Sequence, residues 1–298
     1  MRIKDLKKEK NAIILAHNYV RPEIQDIADF VGDSLELALK ASKVDADLIL
    51  FCGVDFMAET IAILNPSKKV LVPDIATCSL AQMLDTDSLL DYKKLYPDAK
   101  VVLYINTLAK HKIYADAICT SSNAPEIVDS MDSDKVLFGP DINLARYVAN
   151  KTSKEIIPVP RYGFCSTHYQ ITINDLSTAV KKHPNAEIVV HPECTEDIQK
   201  KADVIASTSG IIRYCKRSNK EEFLIGTEIG LIHRLKREMP DKEFYMISKF
   251  SVCPSMKIHT LDKIERALKT EIINVTIDKN IASKAVIPIK RMIEITSN

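Results

Sequence analysis

An internal repeat of about 87 residues is the feature that most constrains what this chain can fold into. Six short motifs occur three times each, always in the same order and with steps of 86 to 88 residues between copies. One such match could arise by chance, but six at one period indicate three tandem copies of one structural unit. The sets of equivalent residues are His17, Tyr104 and His191; Tyr19, Asn106 and Glu193; Asp29, Asp116 and Asp203; Ser34, Ser121 and Thr208; Gly53, Gly139 and Gly226; and Cys78, Cys165 and Cys253.

Within each copy, short apolar runs alternate with stretches of helical character, which is the pattern of βα units. Ten such runs predict strands, and those such as Leu48–Cys52 and Val101–Ile105 are almost wholly apolar, as expected of strands buried on both faces of a parallel sheet. We therefore predict an α/β fold of three similar αβα domains with small parallel sheets, arranged around a pseudo-threefold axis. The predicted domains are 1–83, 84–170 and 171–255, and the tail 256–298 is expected to pack on the first domain.

Charge and hydropathy exclude several classes of partner. The chain of 298 residues has 41 Lys and Arg against 40 Asp and Glu, with no basic block, which argues against nucleic acid and anionic membranes. The first ten residues are mostly charged, unlike a secretory signal, and no apolar run reaches the roughly 18 residues of a membrane span. We expect a cytoplasmic protein.

Several common motifs are missing from the sequence. The seven glycines form neither a dinucleotide-binding nor a phosphate-binding loop, and there is no H-E-x-x-H, G-x-S-x-G or C-x-x-C. The sequence therefore gives no motif-based support for a nucleotide-binding protein, a zinc protease or a serine hydrolase. Function must be sought in the residues that the repeat places together.

Two polar sets follow the first strand of each copy. In parallel sheets, ligands bind beyond the carboxyl ends of the strands, which is where these residues would meet. A third set, Ser34, Ser121 and Thr208, suits helix N-termini, where hydroxyl and free N–H groups bind carboxylate or phosphate. The aspartate set repeats without variation, and we expect it to have a structural role in a turn.

The three repeated cysteines, Cys78, Cys165 and Cys253, would converge on the common axis. Zinc would need a fourth ligand beside three thiolates, whereas a cubane iron–sulfur cluster held by three would leave one iron open as a Lewis acid. Both remain possible on spacing alone. The other cysteines show no threefold match and are expected in the core; they are Cys52, Cys119, Cys194 and Cys215.

Motifs along nearly the whole chain resemble those of the quinolinate synthase family, in order and spacing. They include AHNY at 16–19, GVDFMAE at 53–59, C-T-S-x-N-A at 119–124, FGPD-x-N-L at 138–144, C-x-x-H at 165–168, HPEC at 191–194, GTEIG at 226–230 and C-x-x-M-K at 253–257.

The resemblance implies a concrete reaction and cofactor. The family condenses iminoaspartate with dihydroxyacetone phosphate to quinolinate, a precursor of NAD, with release of phosphate and two waters. By match to its motifs, Cys78, Cys165 and Cys253 would hold one [4Fe–4S] cluster per chain whose fourth iron is open to substrate. The enzyme that produces iminoaspartate would be a transient partner.

This chemistry assigns roles to the polar sets. Glu193 is the best candidate for a base, Tyr19 for a proton relay, and Tyr104 for orienting a group at the open iron. His168 and Lys112 are expected only at the rim or behind the site, and Lys257 is a weak anion-binding candidate. The residues expected to bind the anionic substrates are His17, Ser34, Tyr104, Asn106, Ser121, His191 and Thr208.

Other functions stay open at this point. A reductive dehydroxylase of isoprenoid biosynthesis has similar symmetry, but its motifs are not matched. A non-catalytic iron–sulfur sensor or electron carrier would need no polar constellation, and a zinc enzyme would use the same thiolates. A scaffold is disfavoured because a stacking array need not repeat polar residues at strand ends.

Overall fold

The computed structural model describes residues 2–297 and confirms the α/β fold. Three segments share one element order, in which a helix precedes each of four strands and a short helix follows the last. The first contains α1 (Arg2–Glu9), β1 (Ala12–His17), α2 (Pro22–Ile27), β2 (Phe30–Gly32), α3 (Ser34–Ala41), β3 (Leu48–Cys52), α4 (Asp55–Leu64), β4 (Lys69–Leu71) and α5 (Ser79–Gln82).

The second and third segments repeat this order. The second contains α6 (Thr86–Leu95), β5 (Lys100–Tyr104), α7 (Ala109–Lys112), β6 (Ala117–Cys119), α8 (Ala124–Asp129), β7 (Lys135–Gly139), α9 (Ile142–Ala149), β8 (Glu155–Pro158) and α10 (Ser166–Tyr169). The third contains α11 (Ile173–Lys182), β9 (Glu187–Val190), α12 (Glu196–Gln199), β10 (Val204–Ile205), α13 (Thr208–Arg217), β11 (Glu222–Gly226), α14 (Leu231–Glu238), β12 (Glu243–Met246) and α15 (Pro254–Lys257).

Each segment forms its own four-stranded parallel sheet, and the three sheets have the same strand order: β2-β1-β3-β4, β6-β5-β7-β8 and β10-β9-β11-β12. The first strand of each segment lies inside its sheet, between the second and third. In the first sheet, Leu15 of β1 aligns with Phe30 on one side and Phe51 on the other. All five residues of β3 are buried, as its continuous apolar run predicts.

The apolar runs of the sequence predict ten of the twelve strands of residues 2–297, and they do not predict β2 and β6. β2 and β6 each have three residues with a polar residue directly on either side, so no longer apolar run marks them in the sequence. Since each sheet lies within one predicted range, the sheets agree with three units. The exact domain boundaries and the pseudo-threefold axis stay predictions.

The repeated aspartates tie the first two strands of each sheet together at their amino ends. Each aspartate carboxylate accepts a hydrogen bond from the backbone N–H of a residue in the first strand, and the backbone N–H of the aspartate donates to the carbonyl of that same residue. The bonds to the carboxylate are Ile14 N to Asp29 Oδ2 at 2.7 Å, Val101 N to Asp116 Oδ2 at 2.8 Å and Ile188 N to Asp203 Oδ2 at 2.8 Å. The return bonds are 2.8–2.9 Å long. This set is structural.

The residues beyond the third segment contact the first two. α16 (Leu261–Thr270) packs on α1, and Asn274 forms a bridge with Leu71 at the end of β4. α17 (Lys279–Ser297) packs mainly on β6 and α7 and also contacts α4. Among residues 2–297, no helix is both long enough and apolar enough to cross a membrane.

Candidate active site

One cavity is lined by all twelve residues that the sequence analysis assigned to a site. It offers about 80 Å³ to the centres of water molecules, which is room for several waters or a small ligand. The cavity lies at the carboxyl ends of the strands: His17 and Tyr104 end β1 and β5, and His191 directly follows β9. The repeat therefore brings three sheets to one site.

His17 and His191 are held by the same local bond. The Nδ1 atom of His17 accepts the N–H of Tyr19 at 3.2 Å, and Nδ1 of His191 accepts the N–H of Glu193 at 3.2 Å. Burial lowers the pKa of His17 to about 4 and that of His191 to about 3. Both rings are therefore neutral at pH 7, with the proton on Nε2, so each offers one N–H donor.

A chain of buried hydrogen bonds runs from Tyr19 to Glu193. The Tyr19 hydroxyl lies 2.5 Å from Thr227 Oγ1, which lies 2.9 Å from Nε2 of His168. Nδ1 of His168 lies 2.8 Å from Oε2 of Glu193. The carboxylate accepts the Nδ1 proton, which leaves Nε2 as an acceptor for Thr227 when the ring is neutral. His168 thus lines the cavity itself, which corrects the expectation that it lies at the rim or behind the site.

Glu193 receives hydrogen bonds from several sides. Besides His168, Asn106 Nδ2 donates to Oε1 at 3.3 Å, and Tyr104 contacts the carboxylate. Burial alone raises the pKa of Glu193, but the adjacent His168 ring and the hydrogen bond from Tyr104 outweigh burial and hold the pKa low. Its approach to His191 Nδ1 at 3.6 Å is no ion pair, because that nitrogen accepts the Glu193 N–H.

The two cavity tyrosines keep their protons. Burial is the largest cause that raises the pKa of Tyr19 and of Tyr104, and the Glu193 carboxylate adds to it in both cases. Both hydroxyls are therefore neutral donors at pH 7. Tyr104 also contacts Ser121, whose Oγ lies 3.2 Å from Nε2 of His191.

The hydroxyl set lies at or near helix starts. Ser34 and Thr208 are the first residues of α3 and α13, but the capping side chains are those of Asp33 and Ser207. Ser121 lies in the turn before α8 and does not cap it. Thr208 Oγ1 accepts a hydrogen bond from Asn18 Nδ2 at 3.1 Å. Asp33 and Ser207 thus cap α3 and α13 in place of Ser34 and Thr208, and all three hydroxyl residues line the cavity.

The seven cysteines fall into two groups. Cys78, Cys165 and Cys253 are half-buried and line the cavity, each directly before a short helix. Their loops meet: Ser79 Oγ lies 3.2 Å from Ser166 Oγ, and Ser255 Oγ donates to the Thr77 carbonyl at 2.6 Å. The other four are buried away from the cavity and are free thiols, as the sequence predicts: Cys52, Cys119, Cys194 and Cys215.

The three thiols do not form a ready-made site for one zinc ion. Three thiolates on one tetrahedral zinc would lie about 3.8 Å apart, since Zn–S bonds are about 2.3 Å long. Within residues 2–297, one group of three potential ligands has all its ligand atoms within 4.8 Å of one another, and it consists of Cys165, His168 and Glu193. The three thiol sulfurs do not form such a group, so at least two of them lie more than 4.8 Å apart. Burial raises the pKa of all three thiols, so they keep their protons at pH 7 unless a bound cation stabilises the thiolates.

The two lysines considered in the sequence analysis, Lys112 and Lys257, do not line the cavity. Lys112 is fully buried, away from the cavity, and donates to Thr60 Oγ1 at 2.8 Å. Lys257 forms an ion pair with Glu228 at 2.9 Å and donates to the Tyr19 carbonyl, so its ammonium already has partners. Sequence reasoning missed Asp33 and Thr227, which the structure places beside the cavity residues.

Comparison with known proteins supports one family over the whole chain. The family model described as quinolinate synthetase A protein matches residues 1–294. A protein of Methanocaldococcus jannaschii named quinolinate synthase is 50% identical over 99% of this chain and 98% of its own length. Quinolinate synthases of Pyrococcus furiosus (52% identical) and Alkaliphilus metalliredigens (50%) match 99% and 98% of this chain, and 97% of their own lengths.

Proposed function

The chain belongs to the quinolinate synthase family, and from this premise we propose that it makes quinolinate for NAD biosynthesis. The substrates would be iminoaspartate and dihydroxyacetone phosphate, with release of phosphate and two waters. The observation that carries the proposal is the single cavity that contains all twelve residues selected from the repeat. A cytoplasmic location and transient contact with the enzyme that supplies iminoaspartate stay predictions.

The cofactor would be one [4Fe–4S] cluster held by Cys78, Cys165 and Cys253. When bound through three thiolates, such a cluster supplies an iron without a protein ligand, which acts as a Lewis acid on a leaving hydroxyl. The wide spacing of the thiols supports this assignment over one zinc ion. The overall equation balances without an oxidant or reductant, so no electron transfer is required of the cluster.

Neutral donors would hold the two anionic substrates. His17 and His191 each offer one fixed Nε2–H, and His191 directs its proton toward Ser121 Oγ. Ser121 can then donate its own proton to a carboxylate or phosphate. Ser34 and Thr208 add hydroxyls from the first turns of α3 and α13, where free backbone N–H groups also favour anions.

The hydrogen-bond chain behind Tyr19 would move protons in either direction. With a neutral His168, Thr227 donates to Nε2 and Tyr19 donates to Thr227, so Tyr19 can pass a proton from substrate toward the ring. With His168 protonated, the bonds reverse and Tyr19 becomes a donor to a leaving group. The Glu193 carboxylate stabilises the imidazolium at 2.8 Å.

Glu193 would act chiefly through its charge and its hydrogen bonds. Its low pKa makes it a weak base, but it keeps a carboxylate between His168 and Tyr104 at all times. Asn106 holds its second oxygen at 3.3 Å and does not titrate. Tyr104 and Asn106 can therefore bind and orient substrate beside a fixed negative charge.

The test is a product assay on protein purified without oxygen and reconstituted with iron and sulfide. Iminoaspartate and dihydroxyacetone phosphate are added together, and quinolinate is measured by chromatography. We expect product only when both substrates and the cluster are present, and none from protein loaded with zinc instead. A loaded cluster with no quinolinate would contradict the proposed reaction and favour another iron–sulfur enzyme.

A further inference from the structure

A second set of acids repeats three times beside the cysteines, and the roles described above do not use it. Its members, Asp55, Asp141 and Glu228, follow the third strand of their sheets, two residues after Gly53, Gly139 and Gly226. The strand that precedes each cysteine loop is the neighbour of that third strand in the sheet. Each acid therefore lies next to the cysteine loop of its own repeat.

Each carboxylate accepts a hydrogen bond from the backbone N–H of the cysteine. The bonds are Cys78 N to Asp55 Oδ1 at 3.2 Å, Cys165 N to Asp141 Oδ2 at 3.0 Å and Cys253 N to Glu228 Oε1 at 3.1 Å. The same contact thus occurs three times, although the third acid is longer than the other two. Its recurrence despite this change of side chain indicates a shared requirement.

A backbone hydrogen bond accompanies each of these contacts. It runs from the acid, or from the residue directly after it, to the carbonyl two positions before the cysteine. The bonds are Asp55 N to the Ala76 carbonyl at 2.8 Å, Ile142 N to Gly163 at 2.8 Å and Ile229 N to Ser251 at 3.0 Å. Two hydrogen bonds therefore fix each cysteine loop, one on either side of the residue that directly precedes the cysteine.

Glycine permits this close approach in the second repeat. A Cβ atom on Gly163 would lie 2.0 Å from the Pro140 carbonyl oxygen, and one on Gly139 would lie 1.8 Å from that of Val159. Both contacts are with backbone, which cannot move aside as a side chain can. The acid loop and the cysteine loop are therefore packed too tightly to admit any side chain at these positions.

We propose that Asp55, Asp141 and Glu228 are positioning residues that hold the three cysteine loops ready to bind the metal cluster. Because each bond fixes the backbone of a ligand residue, it limits the directions that the thiol can take before the cluster arrives. Binding then orders less of the chain, which favours retention of the cluster. This inference rests on the proposed function, since it takes the three cysteines as ligands.

Asp55 offers the cleanest test, because its Oδ1 accepts both the Phe56 N–H at 2.8 Å and the Cys78 N–H. Asp55→Asn can keep a carbonyl oxygen at that position, whereas Asp55→Ala removes it. Asp55→Ser keeps an oxygen at the start of α4 but is too short to reach Cys78. The control is Glu59→Ala in the same helix: Glu59 Oε2 accepts the Ala109 N–H at 2.6 Å, and Ala109 is on no cysteine loop.

The experiment measures release of iron to a chelator from each reconstituted variant, together with the thermal unfolding of the protein without metal. We expect release about 10- to 100-fold faster from Asp55→Ala and Asp55→Ser, with Asp55→Asn and Glu59→Ala within about twofold of wild type. Retention of iron by Asp55→Asn would show that the carbonyl oxygen is what matters. Slower release from Glu59→Ala than from Asp55→Ala, at a similar loss of thermal stability, would distinguish positioning from general destabilisation.

Two results would overturn the inference while leaving the proposed function intact. One is wild-type iron release from Asp55→Ala and Asp55→Ser. The other is equally fast release from Glu59→Ala, which would make the effect one of stability. If the wild-type protein itself takes up no iron and sulfide, the cofactor assignment fails, and the positioning role fails with it.

Discussion

The two ends of the central strands differ in how they use the repeat. At the amino ends, Asp29, Asp116 and Asp203 are identical and each ties its own sheet by the same pair of bonds. At the carboxyl ends, His17, Tyr104 and His191 are equivalent in position but differ in chemistry. The residues at the amino ends stabilise three sheets separately, whereas the residues at the carboxyl ends line a single cavity.

This difference explains which sets vary. A residue that stabilises its own sheet meets the same surroundings in every copy, so one residue type suits all three. A cavity that takes an asymmetric substrate needs different groups from each copy, as with Tyr19, Asn106 and Glu193. The cysteines are identical although they line the cavity, which fits a ligand with three equivalent positions. The following predictions test that division.

The largest effect is expected for the cysteines at the carboxyl ends. Cys78→Ser, Cys165→Ser and Cys253→Ser should each abolish quinolinate formation, because the proposed cluster would need one thiolate from every repeat. Activity and iron content are measured on anaerobic protein. Cys52→Ser is the control, since Cys52 is buried away from the cavity. If Cys52→Ser lost as much cluster as the other three variants, the assignment of Cys78, Cys165 and Cys253 as the ligands would be wrong.

Glu193→Gln should lower kcat by about 10²- to 10⁴-fold while KM changes little, because the amide keeps the shape but not the charge that stabilises a protonated His168. Steady-state kinetics on cluster-loaded protein measures both constants. Glu196→Gln is a matched control, since Glu196 pairs with Lys200 on the surface. Turnover at the wild-type rate in Glu193→Gln would remove Glu193 from the mechanism.

The aspartates at the amino ends should affect stability and not catalysis. Asp29→Ala, Asp116→Ala and Asp203→Ala should each lower the free energy of unfolding by about 1–3 kcal/mol, because a strand N–H loses its partner. Urea unfolding measures this loss, and kcat of the folded fraction should stay close to wild type. A selective loss of kcat in one of the three would show that the amino ends are not equivalent.

The last prediction concerns the pH dependence of stability. Burial lowers the pKa of His17 to about 4 and of His191 to about 3, from an ordinary value of 6.5. Below pH 6.5 the unfolded chain binds protons that these native rings do not, so stability falls as pH drops from 6.5 toward 4. His17→Gln should make this fall shallower in urea unfolding between these limits. An unchanged slope would contradict a neutral buried His17.

The repeat made much of the site predictable, because it aligns the residues that follow equivalent strands, and these residues face one cavity. All twelve selected residues line the cavity, and ten of the strands were expected from apolar runs. Thr227 was missed because its equivalents, Val54 and Pro140, have no hydroxyl and give no repeated signal. The contacts of Asp55 with the cysteine loop depend on strand adjacency, which spacing alone does not reveal.

The most direct test of the central claim, that three repeats build one shared metal site, is the amount of iron and acid-labile sulfide per chain. Protein is purified without oxygen, reconstituted and freed of unbound metal before analysis. The account predicts about four irons and about four sulfides per chain, as one cubane cluster requires. A single metal ion without sulfide, or no metal after reconstitution, would contradict it and return the three cysteines to another role.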